Sequence, residues 1–488
     1  MGEDPAGCPV GALSRAPARA QRENASIGCF FRLRRNGRSG DRPYGATGAP
    51  LLARALFSAS RGFSFPSFRY NASRRGFPAE REAGRALVAL DSTARKEAMR
   101  PSKALVRDEG MHAYTLMNRT HEVFQFCYND ATGLFYDQNR IVDSGRAPLG
   151  MVSSNGKKVS TKLLAFWWNY RAIPTIRDGI EGKLEQLGLG TPSQIPFRSW
   201  GLSLTDQYWV KPFRSTVQWE DINFFYHGFP SSDASSWLDE VGGRSPDNTT
   251  DGELPKRWVC ERGRGVLLKA GGRLNQEPYN EAVATALYRR LLPKDEYVPY
   301  ALRGAGEQAV CACENFVSST EEYVPAYYVR RLVRHPSPRS DYRRYLDCCA
   351  NLGATNAEEA LAKMIACDDI LGNRDRHWRN FGLLRDVETG AFRIAPLFDA
   401  GNSLWSKVTP EHLATDDYSF TAKPFHADAA RQLRLVRDWS WFDPAALKGF
   451  EDEAADILSA NPALAGRVDF VRRAVRWHIE QVVRASRG

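Results

Sequence analysis

The sequence changes character at Met111, and this change decides which part of the chain can build a packed core. Residues 1–110 are rich in Arg, Gly, Pro and Ala and show no regular apolar spacing, except for one possible helix at 80–100. From Met111 onwards, apolar residues recur at strand and helix spacing. Because folding requires buried apolar surface, we predict that the fold lies in 111–488.

The excess charge is confined to the same N-terminal segment. The net charge of the chain is +10, and residues 1–110 hold 20 Lys and Arg against 10 Asp and Glu. That leaves 47 residues of each sign in 111–488. We interpret residues 1–110 as an Arg-rich, disordered tail, or as residues ahead of a true start at Met111. The alternative is a basic arm that binds nucleic acid. The neutral body is not expected to bind nucleic acid.

The sequence contains no apolar run near the ~20 residues that a membrane helix needs, and its N-terminus lacks a signal-peptide layout. The nine cysteines form no C-x-x-C pair, which favours free thiols in a reducing compartment over a zinc site. We therefore expect a cytoplasmic protein without a membrane partner.

Turn-rich segments divide the body. The segment "STKLLAFWWNYRAIP" (160–174) predicts a helix whose Trp167 and Trp168 pack in a core. Residues 228–256 are rich in Gly, Ser, Asp and Pro and predict a long loop. A hairpin ending at Lys269 follows, and then an amphipathic helix, a short strand and a largely helical stretch to about Gly372. We predict an α+β fold with a tail (1–110), an N-terminal accessory domain or lobe (111–235), a small lobe (236–325) and a mostly helical lobe (326–488).

Five polar residues stand in an order that matters chemically. Lys269 ends an apolar strand, and Glu281 opens the next helix, twelve residues later. Asp375 and Asn380 are separated by four residues, and Asp399 follows nineteen residues after Asn380 at the end of a strand. Phosphoryl transfer from ATP uses a lysine aimed by a carboxylate, a base for the acceptor hydroxyl, and oxygen ligands for Mg²⁺. The pattern therefore predicts a kinase site that uses ATP and Mg²⁺.

The spacing within "LGNRDRHWRNFGLL" (371–384) has a physical reason. A short loop can present Asp375 to an acceptor and, five residues on, the Asn380 amide oxygen to a metal. His377 between them can brace the loop by hydrogen bonding. We expect the arginines of this loop to brace it or face solvent; they are Arg374, Arg376 and Arg379. Just upstream, we predict a structural hydrogen-bonding role for Asp368 and exposure for Asp369.

These motifs carry a resemblance to a known family. "GNRDRHWRNFGLL…IAPLFDAGNSLW" resembles the catalytic and metal-binding segments of HipA-like kinases, and its D-R-H-x-x-N pattern is similar to that of phosphatidylinositol kinases. "SPDNTTDGELPKRWV", "LLKAGG", "QEPYNEAVA" and "SLTDQYWVKP" resemble a bacterial branch of HipA-like proteins, so the likeness covers roughly 111–445. It implies a bilobal, protein-kinase-like fold.

The resemblance also implies roles. Asp375 would be the catalytic base, and Asn380 with Asp399 would bind Mg²⁺. Lys269 would contact the α- and β-phosphates, and Glu281 would pair with it. A loop at 245–252, here called the hydroxyl loop, would cover the phosphates, and the segment from Glu314 to Phe316 would pass the adenine. The hydroxyl-loop positions assigned to nucleotide binding are Ser245, Thr249, Thr250 and Gly252.

We therefore predict a kinase acting on Ser or Thr of a protein, with autophosphorylation in the hydroxyl loop as a means of self-regulation. A lipid kinase and a nucleic-acid-binding regulator that uses residues 1–110 are the alternatives. The sequence has no G-x-G-x-x-G loop, so it differs from ordinary eukaryotic-type kinases. The N-terminal lobe does not match the small domain of HipA toxins, which leaves open an antitoxin-like partner as well as the phosphate acceptor.

Overall fold

The computed structural model describes residues 110–230, 236–332 and 340–488, without the side chain of residue 139. The predicted Arg-rich tail therefore lies outside the described residues. Within them, three antiparallel sheets are combined with helices, which is consistent with an α+β fold. No helix of the described residues is long and apolar enough to cross a membrane. None of the described cysteines forms a disulfide bond.

The strands of the described residues are β1 (Met111–Asn118), β2 (His121–Asn129), β3 (Leu134–Ile141), β4 (Tyr208–Pro212), β5 (Lys256–Glu261), β6 (Arg264–Lys269), β7 (Ala301–Arg303), β8 (Val310–Glu314), β9 (Glu321–Pro325), β10 (Gly382–Asp386) and β11 (Phe392–Ile394). The α-helices of the same ranges are α1 (Thr161–Asn169), α2 (Ile180–Leu187), α3 (Trp219–Ile222), α4 (Glu277–Leu291), α5 (Ala326–Val329), α6 (Asp341–Asn351), α7 (Ala357–Leu371), α8 (Pro410–Leu413), α9 (Ala429–Leu433), α10 (Phe450–Ser459) and α11 (Ala465–Ser486).

The first sheet has the strand order β3-β2-β1-β4 and packs against α1. The alternation in β1 and β2 directs Leu116 and Phe124, which are register partners, into the core. Helix α1 begins after Ser160, whose hydroxyl accepts a hydrogen bond from a backbone N–H of the first turn. Trp167 and Trp168 are buried in this core, so the prediction of core packing is confirmed.

The second sheet has the order β5-β6-β8-β7 and carries the predicted hairpin. A two-residue turn joins β5 to β6, and the register places Lys256 opposite Lys269. Helix α4 contacts β7 and β8 of this sheet. The sequence predicted an amphipathic helix here, but α4 is buried on most of its circumference because the sheet and the C-terminal helices both contact it.

The third sheet has the order β11-β10-β9 and combines one strand that precedes α5 with two strands that follow α7. Strand β9 lies at the start of a stretch that the sequence predicted to be largely helical. Its five residues are held by pairing with β10, for example Val324 with Leu383. The buried Glu322 of β9 accepts hydrogen bonds from Arg385 of β10 (3.0 Å) and from the hydroxyl of Tyr208 in the first sheet (3.2 Å).

Helix α7 delivers the chain into the loop that follows it. It ends at Leu371 and is followed by Gly372, whose φ of 58° is the left-handed conformation typical of the residue after a helix. Asp368, in the last turn, is buried and hydrogen-bonded, as predicted. The prediction that Asp369 is exposed is wrong, because Asp369 is buried and lies 2.8 Å from Nδ1 of His478 in α11.

Candidate active site

Three charged side chains meet at the end of β6, an inner strand of the second sheet. Lys269, the last residue of β6, is buried, and its Nζ lies 2.5 Å from Oε1 of Glu281. The same ammonium group forms an ion pair with Asp399, which follows β11. The second carboxylate oxygen of Glu281 accepts a hydrogen bond of 2.9 Å from the Ala400 backbone N–H. Glu281 therefore aims Lys269 and also holds the segment that carries Asp399. It does so from the second turn of α4, and not from the opening of the helix.

The electrostatics of this cluster keep Lys269 and Asp399 charged. Burial opposes charge on Lys269, yet Asp399 and Glu281 raise its pKa well above the ordinary lysine value. Burial would likewise raise the pKa of Asp399, but Lys269 and Lys256 lower it below the ordinary aspartate value. For Glu281, burial prevails over the attraction of Lys269 and raises the pKa. The Asp399 carboxylate is thus ionised over the whole physiological pH range.

The loop after α7, residues 372–381, is here called the DRH loop, and Arg376 holds it in place. The Arg376 side chain is 0% exposed and binds both oxygens of Asp368 at 2.9 and 3.0 Å. Its Nη1 donates to the carbonyls of Asn380 (2.8 Å) and Phe398 (2.5 Å). Since Phe398 precedes Asp399, one guanidinium joins the DRH loop, α7 and the segment carrying Asp399. Arg376 therefore braces the loop, which is one of the two roles expected for it, and does not face solvent.

The predicted catalytic residues occupy the open side of the DRH loop. Oδ1 of Asp375 accepts a hydrogen bond of 3.0 Å from Lys423, and the Asp375 side chain remains 36% exposed. The Asn380 amide group donates to the Asp375 carbonyl at 3.1 Å, which leaves its oxygen for another partner. Nδ1 of His377 accepts from the Arg379 backbone N–H at 3.3 Å. Burial lowers the pKa of His377, although Asp375 opposes this effect, so a neutral imidazole braces the loop.

The hydroxyl loop is folded inward. The hydroxyl of Ser245 accepts from the Asp247 N–H (3.1 Å), and the hydroxyl of Thr249 donates to the Leu202 carbonyl (3.0 Å). The hydroxyl of Thr250 donates to the Asp247 carbonyl at 2.9 Å. All three side chains are buried. The structure therefore commits them to internal hydrogen bonds, and a phosphate would meet this loop through other atoms.

A buried arginine fastens the end of the hydroxyl loop. Arg177 donates to the hydroxyl and the carbonyl of Thr250, both at 2.8 Å, and to the carbonyl of Gly252 at 2.7 Å. Asp251, between these residues, forms an ion pair with Arg379 of the DRH loop. Arg379 also lies over the ring of Tyr170, 4.0 Å from its centroid. The hydroxyl loop thus closes against the DRH loop.

Lys256 is a member of the site that the sequence analysis missed. A Cβ atom on Gly252, whose φ is +99°, would lie only 2.4 Å from the Lys256 Nζ, so this ammonium group lies against the hydroxyl loop. Burial and the neighbouring Lys269 lower the pKa of Lys256 to about 8. The signal was available, because a two-residue turn after Glu261 makes Lys256 the register partner of Lys269.

The segment predicted to pass the adenine connects the second and third sheets. Glu314 ends β8, and its exposed carboxylate pairs with Arg264 at 2.8 Å. Phe316 packs between Tyr323 and Phe398, with ring centroids 5.8 and 5.2 Å away. Because the Glu314 side chain faces away from the interior, a nucleotide at this connection would meet its backbone. The adenine-binding role of both residues stays a prediction.

No family model matches the sequence, and no curated protein matches it. Among solved structures, the crystal structure of the Helicobacter pylori proinflammatory kinase CtkA is similar to part of the chain. The two sequences are 17% identical, and the match covers 47% of this chain and 94% of that chain, with a TM-score of 0.35. A TM-score this low does not establish a shared fold, so the chemistry of the site rests on its own residues.

Proposed function

We propose that this protein is an ATP- and Mg²⁺-dependent kinase of the bilobal, HipA-like type. The observation that carries the proposal is the cluster of Lys269, Glu281 and Asp399, which three separate parts of the chain bring together. The DRH loop, with Asp375 and Asn380, is bound to the same cluster through Arg376 and the carbonyl of Phe398. This is the set of groups that phosphoryl transfer requires.

Two lysines would bind the phosphates of ATP. Lys269, aimed by Glu281, would contact the α- and β-phosphates, and Lys256 would contact a phosphate beneath Gly252. Gly252 supplies a backbone without a side chain at this point, which permits close approach. The remaining hydroxyl loop would act as a cover that Arg177 fastens.

The side-chain oxygens of Asp399 and Asn380 would suit a magnesium ion. Asp399 is ionised, and hydrogen bonding orients the Asn380 amide so that its oxygen is available. Mg²⁺ prefers such hard oxygen ligands and is commonly bound by one or two protein groups together with substrate phosphates. Among the described residues, no cluster of three or more His, Cys, Asp or Glu could hold a metal, so the protein alone would hold the ion weakly. A bound Mg²⁺ would neutralise phosphate charge.

Asp375 would act on the acceptor. Its carboxylate is partly exposed, so a hydroxyl group of a Ser or Thr side chain can approach it from outside. The acceptor oxygen would bond to the γ-phosphorus, the bond to the bridging oxygen would break, and ADP would leave. Asp375 would take the hydroxyl proton. Autophosphorylation of Thr249 or Thr250 would require the hydroxyl loop to leave its pocket, since both hydroxyls are buried.

The test is transfer of labelled γ-phosphate from ATP with Mg²⁺ to the protein itself, to a mixture of proteins and to vesicles containing phosphatidylinositol. Asp375→Asn and Asp399→Asn are each expected to reduce transfer by ~100-fold or more. Lys448→Ala is the matched control, because Lys448 is exposed and lies in the C-terminal helical region. Transfer that persists in both aspartate variants, or that is absent from the wild type, would refute the kinase. Label found only in lipid would favour the lipid-kinase alternative.

A further inference from the structure

A turn from the C-terminal half of the chain reaches the open face of the DRH loop. In residues 421–428, the Ala422 N–H donates to the Ala427 carbonyl at 2.9 Å, and Thr421 forms an isolated antiparallel β-bridge with Asp428. The buried Gln432 donates to the Lys423 carbonyl at 2.7 Å and accepts from two backbone N–H groups of the turn at 3.0 and 3.3 Å. Such a network gives the Lys423 backbone a defined position.

The same turn is packed onto the DRH loop. The ring of Phe425 lies edge-on to that of Trp378, with centroids 5.4 Å apart, and it also contacts Phe381. Tyr342 of α6 supports Phe425 from another side at 5.1 Å. Aromatic contacts of this kind fix the relative position of two segments. The turn and the DRH loop therefore form one packed unit.

Lys423 uses this position to contact the proposed catalytic base. Its Nζ lies 3.0 Å from Oδ1 of Asp375, and the two side chains are 44% and 36% exposed. An ion pair this exposed contributes little to folding, because water screens it. The pair nevertheless lies at the atom that the proposed reaction depends on, and an elaborate turn supports it.

We propose that Lys423 is a positioning residue that orients Asp375 for proton transfer. By occupying Oδ1, it leaves Oδ2 to receive the proton of the acceptor hydroxyl, and its charge favours one orientation of the carboxylate. A base must lie within hydrogen-bonding reach of the proton that it takes, so a freely rotating carboxylate is less effective. This inference rests on the proposed kinase function.

The test compares wild type, Lys423→Met, Lys423→Gln and Lys423→Arg. ADP release and γ-phosphate transfer are measured over a range of ATP concentrations, and ATP affinity is measured separately by calorimetry. We expect kcat to fall about 10- to 100-fold in Lys423→Met and Lys423→Gln, while KM and Kd for ATP stay within twofold. Lys423→Arg should restore part of kcat, since it keeps a cation beside Asp375. The double variant Lys423→Met with Asp375→Asn should have the same kcat as Asp375→Asn alone.

The controls separate this inference from the kinase proposal. Unfolding temperature should be unchanged in all Lys423 variants, as in Lys448→Ala, because the Lys423 pair is exposed. A wild-type protein that transfers phosphate, with Lys423→Met and Lys423→Gln at the same kcat, would overturn the role of Lys423 alone. Independent, multiplicative effects of Lys423→Met and Asp375→Asn would overturn it as well. A wild type without transfer would overturn both proposals.

Discussion

Replacing Arg376 by Met is expected to destabilise the protein strongly, although Arg376 belongs to a loop. The side chain is 0% exposed and forms four hydrogen bonds, two to Asp368 and two to backbone carbonyls. Met occupies a similar length without replacing any of them. The buried Asp368 would then retain the Asn373 amide donor, at 2.8 Å, without a cation beside it.

The magnitude follows from the loss of one partner of a buried ion pair, which costs ~3–5 kcal/mol. We expect the free energy of unfolding to fall by about this amount, measured by urea titration with tryptophan fluorescence. Arg374→Met is the matched control, since Arg374 lies in the same loop, is half-exposed and forms no ion pair with any described residue. Its effect should stay within ~0.5 kcal/mol.

A second variant tests the physical cause. Adding Asp368→Asn to Arg376→Met removes the unpaired charge, so the double variant should be more stable than Arg376→Met by ~1 kcal/mol or more. Equal stability of Arg376→Met and Arg374→Met would refute the reasoning. A double variant whose loss equals the sum of the two single losses would refute it too, because the carboxylate and guanidinium would then be uncoupled.

Three further predictions concern the hydroxyl loop, its neighbouring lysine and the end of α7. The pKa of Lys256 is lowered to about 8, so its charge is lost as the pH rises through 8. ATP affinity, measured by calorimetry, should therefore weaken between about pH 7 and 9.5, and Lys256→Arg should flatten this decline. Identical pH profiles for the wild type and Lys256→Arg would argue against a phosphate contact. Gly372→Ala should lower the free energy of unfolding by ~1–3 kcal/mol in urea titration, because the φ of Gly372 is +58° and a Cβ would lie 2.9 Å from the Trp405 ring. Gly390→Ala is the control and should lower it less, since Gly390 has a φ of +74° but a Cβ there would meet no other atom. Arg177→Ala removes the buried hydrogen-bond donors that hold the hydroxyl loop. Proteolytic cleavage within this loop, mapped by mass spectrometry, should therefore become faster. An unchanged cleavage rate would show that other contacts hold the loop.

The local parts of the site could be predicted from the sequence. Lys269 at the end of a hairpin strand, and Asp375 and Asn380 on one short loop, follow from spacing along the chain. The structure places them as those spacings require, since a hairpin and a helix-to-loop junction are built from neighbouring residues. The spacing also predicts that Lys256 lies opposite Lys269 in the hairpin, but only once the turn length is known.

Short strands were less predictable. β9 has five residues, too few for an alternating pattern to stand out beside the helical segments that follow it. Its stability comes from pairing with β10, whose Leu383 is remote in sequence from its partner Val324. A strand of this kind is defined by its neighbour in the sheet, and its own composition contributes little.

The amino-acid sequence by itself determined where a core could form, which charged groups the protein possesses and how the DRH loop is spaced. Only the tertiary structure decided that Asp369 is buried against His478, 109 residues away, and that Lys423 reaches Asp375 across 48 residues. It also decided that Arg177 fastens the hydroxyl loop from 73 residues away. The physical reason is that periodicity reports which face of an element is apolar, whereas the partner of a polar side chain depends on how distant elements pack.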